Sequence, residues 1–249
     1  MKTIKSILLL LFICAFSIQL SAQKMYLVHE DKVNPSKMVD YEKAALTFHE
    51  ACLKHQPDAN WLTVTMDDFR YLYVSPIENF ADIDKRPFAD MAKTMGDEFG
   101  KMFDDFDKCY ESHGDYIIML DESLTYMPDG ISQTQEGLNH RNFYFIHFTP
   151  ENEKALREGM KAVKNMFTSK ESKNYYRVYR SGFGVMNSYY MVAMSSEDEV
   201  DAATKNKVND ELLGPERYET FQKVIGSAAE MYEITGNIRP MLSYKKKEE

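Results

Sequence analysis

Two histidines in this chain end matching four-residue segments, and they are the side chains best suited to chemistry. His29 ends the segment YLVH, and His147 ends the segment YFIH, 118 residues later. An imidazole can act as a general base, as a haem ligand or as a divalent-metal ligand. We therefore name His29 and His147 as candidate catalytic residues. The competing interpretation is that each is a packing residue bonded to a nearby tyrosine, because buried polar groups normally find partners.

The same 118-residue offset recurs along the chain. It relates Tyr71 to Tyr189, Met95-Gly96 to Leu213-Gly214, Glu98 to Glu216 and Phe103 to Phe221. A fixed period of this length predicts a duplicated domain rather than an array of small repeats. Two copies of one fold around a pseudo-twofold axis enclose a shared space, where a function can reside.

Hydrophobic periodicity predicts the order strand, helix, strand, strand, helix, strand in both copies. In the first copy the predicted strands are Met25 to Glu30, Trp61 to Met66, Phe69 to Val74 and Tyr116 to Leu120. His113-Gly114-Asp115 is interpreted as the break before the last of these. In the second copy they are Asn142 to Phe148, Asn174 to Arg180, Met186 to Met194 and Ile234 to Tyr244. This order is the ferredoxin-like sandwich, with both helices on one face of an antiparallel sheet.

The open face of such a sheet needs cover, and a second copy can supply it. The chain resembles the dimeric α/β-barrel superfamily, of the antibiotic-biosynthesis-monooxygenase-like type, in the form of a tandem fusion. This resemblance rests on the element order, the repeat and the matched pairs Tyr26/Tyr144 and His29/His147. The resemblance covers nearly the whole chain after residue 22. It implies an α+β fold of two ferredoxin-like units packed sheet to sheet around a central cavity. The superfamily includes cofactor-free monooxygenases, haem-degrading and haem-binding enzymes and small-molecule isomerases, so it implies no single reaction.

Strand alternation predicts which side chains enter that cavity. We assign to it Leu27, His29, Trp61, Thr63, Tyr71 and Tyr73 from the first copy, and Phe145, His147, Arg177, Tyr179, Tyr189 and Met191 from the second. Of these we name as ligand-binding residues Trp61, Tyr71, Tyr73, Arg177, Tyr179 and Tyr189. The alternative for the aromatic residues is ordinary packing between sheets. An arginine in a closed interior needs a carboxylate, a phosphate or an exit to water.

We assign to the helix-facing side Val28, Leu62, Val64, Leu72 and Val74 from the first copy, and Ile146, Val178, Tyr190 and Val192 from the second. The two cysteines beyond residue 22, Cys52 and Cys109, are expected to be buried thiols, because free cysteine behaves as a small core residue.

The first 22 residues are typical of a secretory signal peptide. Lys2 and Lys5 precede a short apolar run, and cleavage is expected after Ala22. The remaining chain divides into a first repeat (23–126), a linker (127–141), a second repeat (142–244) and a charged tail (245–249). We expect an exported protein, periplasmic or extracellular, with no stable membrane insertion after cleavage. Cleavage changes the formal net charge from −9 to 28 − 39 = −11, which disfavours binding to nucleic acid.

The first function predicted is binding of a small apolar or aromatic molecule between the two repeats. The second is a cofactor-free or haem-linked monooxygenase that uses His29 or His147. The third is a non-catalytic envelope protein whose barrel is filled by side chains. No cofactor or metal is predicted, with haem kept as the alternative. The volume of the cavity distinguishes the third function from the other two. The sequence does not predict the oligomeric state.

Overall fold

The computed structural model describes residues 24–247. The expected signal peptide lies outside the described residues, and so do the last two residues of the chain. The elements of the first half are β1 (Met25–Val33), α1 (Met38–His55), β2 (Asn60–Met66), β3 (Arg70–Ile77), α2 (Ala89–Met95), α3 (Asp97–Asp107) and β4 (Tyr110–Leu120). Short 3-10 helices lie at Pro35–Lys37 and Phe80–Asp84.

The second half repeats this order of elements. It contains β5 (His140–His147), α4 (Glu153–Ser169), β6 (Tyr176–Ser181), β7 (Tyr189–Ser196), α5 (Glu199–Leu213), α6 (Glu216–Ile225) and β8 (Glu230–Ile238), and a two-residue strand, β9 (Tyr244–Lys245), follows. The long second helix predicted in the first half is broken into α2 and α3 at Gly96. The backbone there has φ 59° and ψ −131°, a conformation that glycine adopts without steric penalty.

The eight long strands form one closed antiparallel barrel. Their order is β3-β1-β4-β6-β7-β5-β8-β2, and β2 pairs again with β3 to close the ring. Each half supplies four adjacent strands, and the halves join through the pairs β4–β6 and β2–β8. Closure removes the exposed strand edges. The predicted α+β class is confirmed, with the barrel at the centre and the helices packed outside it.

The interior of the barrel, here called the lumen, is filled by side chains. The cavity found there has a volume of about 60 Å³, which is far below the volume of an ordinary ligand site. Apolar residues from both halves fill it, including Val28, Leu72, Phe143 and Met191. The expected ligand cavity between the two sheets is therefore wrong.

The predicted facing of the second-half strands is confirmed, but that of the first half is inverted. Val28, Leu62, Val64, Leu72 and Val74 line the lumen. Their neighbours Leu27, His29, Trp61, Thr63, Tyr71 and Tyr73 lie on the helix-facing side, where they contact α1, α3 or the C-terminal segment. A shift of one residue turns every side chain of a strand to the opposite face.

The strand pairing shows where this shift arises. Val28 pairs with Val74, and Phe145 pairs with Met191, so both members of the second pair lie 117 residues after their counterparts. The offset of 118 that relates the two histidines is out of phase with this register. His29 and His147 consequently lie on opposite faces of the barrel wall.

Two element boundaries differ from the prediction in ways that matter for function. His113-Gly114-Asp115 does not break the chain, because β4 begins at Tyr110 and includes all three residues. The last long strand begins at Glu230 and ends at Ile238, rather than running from Ile234 to Tyr244. The segment 239–245 is thereby free to cross onto the first half.

Both cysteines of the described chain are buried and unpaired, as expected. Burial raises the pKa of the Cys52 thiol to about 12. A protonated thiol is a poor nucleophile, so Cys52 serves as a packing residue in the cluster that it forms with Trp61 and Tyr244.

Candidate functional site

A cavity beside the sheet lies between the first-half strands and helices α1 and α3. This first-half pocket has a volume of about 420 Å³, which is within the range of small-molecule sites. It is lined by Leu27, His29, Asp31, Ala45, Phe48, Trp61, Tyr73, Ser75, Phe88, Phe103, Phe106, Asp107, Tyr110, His113 and Leu242. Aromatic rings form most of its wall, and polar groups gather at one end.

Strand and helix periodicity place these side chains. Leu27, His29 and Asp31 alternate along β1, so all three point to the helix-facing side. Phe103 and Phe106 are three residues apart on α3 and lie on one side of it. The rings pack edge to face: the centroid of Phe48 lies 5.6 Å from that of Phe103 and 5.4 Å from that of Phe88. Such contacts keep the pocket wall rigid.

The polar end of the pocket is built across β1 and β4. In their antiparallel register His29 lies opposite Asp115, and Asp31 lies opposite His113. His29 Nδ1 is 3.0 Å from Asp115 Oδ1, and its Nε2 is 3.2 Å from Asp31 Oδ1. The His113 ring lies edge-on to His29 with centroids 5.6 Å apart. Two imidazoles and two carboxylates thus share one face of two paired strands.

Asp31 is held in this cluster by one oxygen only. Tyr41 donates a hydrogen bond of 2.5 Å to Asp31 Oδ2, and the Tyr41 and Tyr73 hydroxyls are 2.8 Å apart. Asp31 is 3% exposed, yet its Oδ1 has no hydrogen-bond partner within the described residues. The His29 Nε2 approaches that oxygen without hydrogen-bond alignment. A buried carboxylate oxygen without a partner is unusual in a folded protein.

The charge state of His29 follows from its neighbours. Burial lowers the pKa of His29, but the hydrogen bond with Asp115 and the adjacent Asp31 carboxylate outweigh it and raise that pKa to about 10. The imidazole is therefore protonated at neutral pH. In this state it can donate a proton, and it must lose one before it can act as the general base that the sequence predicted or as a metal ligand.

The other predicted catalytic residue lies elsewhere. His147 is at the end of β5 on the lumen side, and its ring is 5.5 Å from that of Tyr189 and 5.8 Å from that of Tyr232. It is half-buried, and the lumen beside it is filled. Packing against tyrosines is the competing interpretation given for this residue, and it describes the contacts of His147 well.

The predicted ligand-binding residues divide between the two faces of the barrel wall. Trp61 and Tyr73 line the first-half pocket, although from the face opposite to the one predicted. Tyr71 is buried against Tyr41 and donates a hydrogen bond of 2.8 Å to Glu42. Tyr179 and Tyr189 line the filled lumen, and Tyr179 donates to Gln133 of the connector between the halves.

Arg177 is 3% exposed and finds its partners within the chain. Its guanidinium donates to the carbonyl oxygens of Ser132 and Gln133 at 2.8 and 3.1 Å, and also to Ser195. Burial lowers the pKa of Arg177. The connector therefore covers one end of the lumen and satisfies this arginine there, so the side chain needs no ligand.

Sequence reasoning missed the three residues that complete the polar end: Asp31, His113 and Asp115. The signal for Asp31 was present, because His29 and Asp31 alternate within one strand. His113 and Asp115 flank Gly114, and their composition was interpreted as a turn. Only the pairing of β1 with β4 brings these four side chains together.

A second, smaller cavity of about 200 Å³ lies in the corresponding place of the second half. This second-half pocket is lined mainly by apolar residues of the sheet and of α4 and α6, such as Ile146, Met160, Val163 and Phe221. Its polar lining residues include Asn174 and Asp210, but no histidine. The pockets of the two halves therefore differ in their chemistry.

Haem, the alternative cofactor, does not fit the first-half pocket. The only histidine nitrogen there that faces the buried end, His29 Nε2, has the Asp31 carboxylate 3.2 Å away, which is where the porphyrin plane would lie. The charged lining residues Asp31 and Asp107 are acidic, and no lysine or arginine lines the pocket. Haem propionates would therefore find no lysine or arginine there, and the charged imidazole of His29 is already paired with Asp31 and Asp115.

No protein-family model matches this chain, and no curated protein matches it in sequence. Solved structures do match its fold. The chain superposes on an anthrone oxidase-like protein with a TM-score of 0.58 and 13% identity, covering 88% of this chain and 92% of that one. It superposes on a candidate monooxygenase from Lactobacillus acidophilus with a TM-score of 0.53 and 9% identity, covering 87% and 94%.

A mutant chlorite dismutase from Candidatus Nitrospira defluvii matches with a TM-score of 0.51 and 8% identity, covering 87% of this chain and 92% of that one. The fold is that of the dimeric α/β barrels. At these identities the likeness extends to the fold alone. Of the helices between residues 24 and 247, none is both long and apolar enough to cross a membrane.

Proposed function

We propose that this chain is an exported protein that binds a small, flat, uncharged or cationic molecule in the first-half pocket. The observation that carries the proposal is the pocket itself: a cavity of about 420 Å³ with an aromatic wall and one polar end. Aromatic walls supply apolar contact area, and a few convergent polar groups orient a ligand. The lumen, with a cavity of about 60 Å³, offers a ligand less room.

The charge of the ligand follows from the lining. Asp31 and Asp107 lie on the pocket wall, and Asp115 stands behind His29. A carboxylate ligand would meet this negative field without a lysine or arginine to bind. An aromatic alcohol or amine, in contrast, can donate a hydrogen bond to the Asp31 carboxylate.

Trp61 makes the proposal directly testable, because it is the chain's single tryptophan and lines the pocket. Nitroaromatic rings quench tryptophan emission at contact. The experiment titrates the protein with 4-nitrobenzyl alcohol, 4-nitrobenzylammonium and 4-nitrobenzoate, which share a ring and differ in charge. We expect saturable quenching by the first two and about 10-fold weaker binding of the benzoate, a difference of ~1.4 kcal/mol.

Two variants localise the binding. Ala45 lies on α1 in the pocket wall, so Ala45→Phe fills the cavity and should abolish saturable quenching. Met160→Phe, the matched control, fills the second-half pocket and should leave the titration unchanged. Linear collisional quenching, or equal titrations for Ala45→Phe and the unaltered protein, would refute this function.

A second candidate function is oxygenation of a bound aromatic molecule. It is favoured by the His29 cluster, which opens directly on the aromatic pocket, and the solved structures of similar fold include an anthrone oxidase-like protein and a candidate monooxygenase. The test is oxygen uptake with anthrone as substrate, using His29→Asn and His147→Ala. We expect loss of uptake only for His29→Asn; if both variants match the unaltered protein, these residues carry no chemistry.

We also infer that the two halves arose by duplication of one ferredoxin-like unit. The shared element order and the displacement of 117 residues between the β1–β3 and β5–β7 pairs support this origin. Export is inferred from residues 1–22. Intact mass of the protein expressed with its leader in a bacterium tests it: we expect loss of residues 1–22, whereas a retained leader contradicts export.

A further inference from the structure

We propose that His29, Asp31 and His113 bind a divalent first-row transition metal ion at the polar end of the first-half pocket. One donor atom from each residue lies within 4.8 Å of the others. Ligand atoms that each lie ~2.1 Å from a metal are separated by roughly 3–4 Å. The three side chains are therefore near the spacing of a coordination sphere before any ion enters.

The backbone fixes this arrangement. Asp31 and His113 face each other across the β1–β4 pair, and His29 lies two residues before Asp31 on the same face. Donors on paired strands of a closed barrel have little freedom to separate. Two imidazoles and one carboxylate on one side of an ion form a recognised set for Fe(II), Zn(II) and related ions, and they leave coordination positions open.

The unpartnered Asp31 Oδ1 points independently to a ligand. Its partner oxygen accepts a hydrogen bond of 2.5 Å from Tyr41, whereas Oδ1 is buried, accepts no aligned hydrogen bond within the described residues and lies 3.2 Å from His29 Nε2. A carboxylate held through one oxygen and open at the other is prepared for monodentate coordination. A cation at this position gives Oδ1 the direct contact that no hydrogen bond of the described residues supplies.

The neighbours of His29 have the roles expected around a metal ligand. Asp115 Oδ1 lies 3.0 Å from His29 Nδ1 and so directs Nε2 toward Asp31. A carboxylate on the far nitrogen of a ligating histidine fixes the ring and strengthens its nitrogen as a donor. The nearby acidic groups Asp107 and Asp115 add negative field without competing cations in the pocket lining.

His113 completes the site from the exposed side. Its ring stacks on Tyr110 with centroids 4.9 Å apart, and the residue is exposed, so it can move toward an ion without disturbing the core. The site lies in the pocket of the proposed function, but metal binding does not depend on an organic ligand there.

The test uses Co(II), whose visible absorption reports coordination by histidine and carboxylate. The full protein after residue 22 is freed of metal with EDTA and titrated with Co(II) and, by calorimetry, with Zn(II). We expect one ion bound per chain. His113→Ala should weaken binding by at least ~10–100-fold with an unchanged melting temperature, because His113 is exposed. Asp31→Asn, which keeps the side-chain shape, should weaken it as well.

The matched control is His147→Ala, which removes a half-buried histidine at a strand end on the other face of the barrel. It should bind Co(II) as the unaltered protein does. The proposal is overturned if no ion binds more tightly than ~100 μM (about −5.5 kcal/mol), if His113→Ala binds normally, or if His147→Ala loses binding equally. Titration with 4-nitrobenzyl alcohol in the presence of EDTA separates the two proposals, since organic binding persists without metal if only this inference fails.

Discussion

Asp31 is the single residue on which the polar end of the pocket depends. One oxygen accepts from Tyr41 and the other faces two imidazoles. Desolvation of a carboxylate is unfavourable unless hydrogen bonds or cations compensate for it. The Tyr41 hydroxyl is therefore the bond that keeps a buried charge in place before any ligand binds.

Tyr41→Phe should lower the free energy of unfolding by about 1.5–3 kcal/mol, as expected for a lost hydrogen bond to a charged group. Tyr71→Phe is the matched control, because Tyr71 is also buried and also donates to a carboxylate. That carboxylate, Glu42, keeps its bonds from Arg239, so the control should lose less. Urea unfolding measures both, and an equal or larger loss for Tyr71→Phe contradicts this account of Asp31.

Asp121, at the end of β4, makes a contribution to the free energy of unfolding that depends on pH. Burial raises its pKa, but hydrogen bonds from Arg157 and Ser123 outweigh burial and hold that pKa below its ordinary value. The folded state thus favours the ionised carboxylate. Its contribution to stability is complete above pH ~4, the ordinary aspartate value, and is lost as the pH falls through the lowered pKa.

Asp121→Asn should accordingly be less stable than the unaltered protein by about 1–3 kcal/mol at pH 7. The difference should stay constant down to pH ~5 and shrink below pH ~4. Urea unfolding at pH 7, 5 and 3 measures it. A difference that persists undiminished at pH 3 would show that the ion pair with Arg157 is not its source.

Residue types in the sequence identified part of the site. His29, Trp61 and Tyr73 were named because imidazole and aromatic rings suit a pocket, and all three lie in the one that the structure contains. Asp31, His113 and Asp115 were not named, because carboxylates and exposed histidines are common on surfaces. Their significance comes from strand pairing, which a single sequence does not reveal.

Among the elements, the paired strands β2 and β8 join the two halves, and their backbones approach closely at Gly236. Gly236 lies opposite Met66 in that pair, and a Cβ placed on Gly236 would be 2.2 Å from the backbone oxygen of Thr65. No side chain fits at that distance without displacement of a strand. Glycine is required here for space, not for an unusual dihedral angle.

Gly236→Ala should therefore destabilise the protein by about 1–3 kcal/mol or more, as overpacking does. Gly114→Ala is the control in a comparable strand, since a Cβ there meets nothing within 4 Å. It should be neutral or slightly stabilising. Thermal unfolding compares the two variants, and a tolerated Gly236→Ala would mean that β2 and β8 are farther apart than described.

The strands themselves were predictable, but the direction of their faces was not. Periodicity located the four strands of each half because their residues alternate or run apolar between turn signals. In this barrel, however, both faces of a strand are buried, one by the lumen and one by helices. Tyr26, Leu27 and Val28 are all hydrophobic, so the alternation of side chains along β1 does not show which face lines the lumen. An error of one residue in the assignment of the faces therefore stays undetected.

At the scale of the whole molecule, the second half completes the pocket of the first. After β8 the chain crosses onto the first half, where Arg239 pairs with Glu42. The Leu242 carbonyl accepts bonds from Trp61 Nε1 at 2.9 Å and from Thr63 at 2.8 Å. Tyr244 packs on Trp61 with ring centroids 4.9 Å apart. The pocket therefore depends on residues from both ends of the chain.

Leu242→Ala should expose Trp61, shift its emission to longer wavelength and destabilise the protein by about 2–4 kcal/mol, because Leu242 is 2% exposed. The adjacent Met241 is 69% exposed, so Met241→Ala should change stability by less than ~0.5 kcal/mol and leave the emission unchanged. Equal spectra for the two variants would mean that the segment does not seal the pocket.

The sequence did not predict this crossing, because its pattern extended the last strand to Tyr244. The run from Ile234 to Tyr244 contains apolar residues throughout, and Pro240 was the only sign of its end. The overall element order was predictable because each half repeats it. Its closure into one barrel followed from the need to cover an open sheet face.

We propose that the ligand binds between the first-half sheet and its helices, not inside the barrel. A crystal structure of the protein with 4-bromobenzyl alcohol tests it most directly, since anomalous scattering locates the bromine without reference to the protein coordinates. We expect a bromine peak among Phe48, Trp61 and Phe103. A peak in the lumen beside Tyr189, or one in the second-half pocket alone, would contradict it.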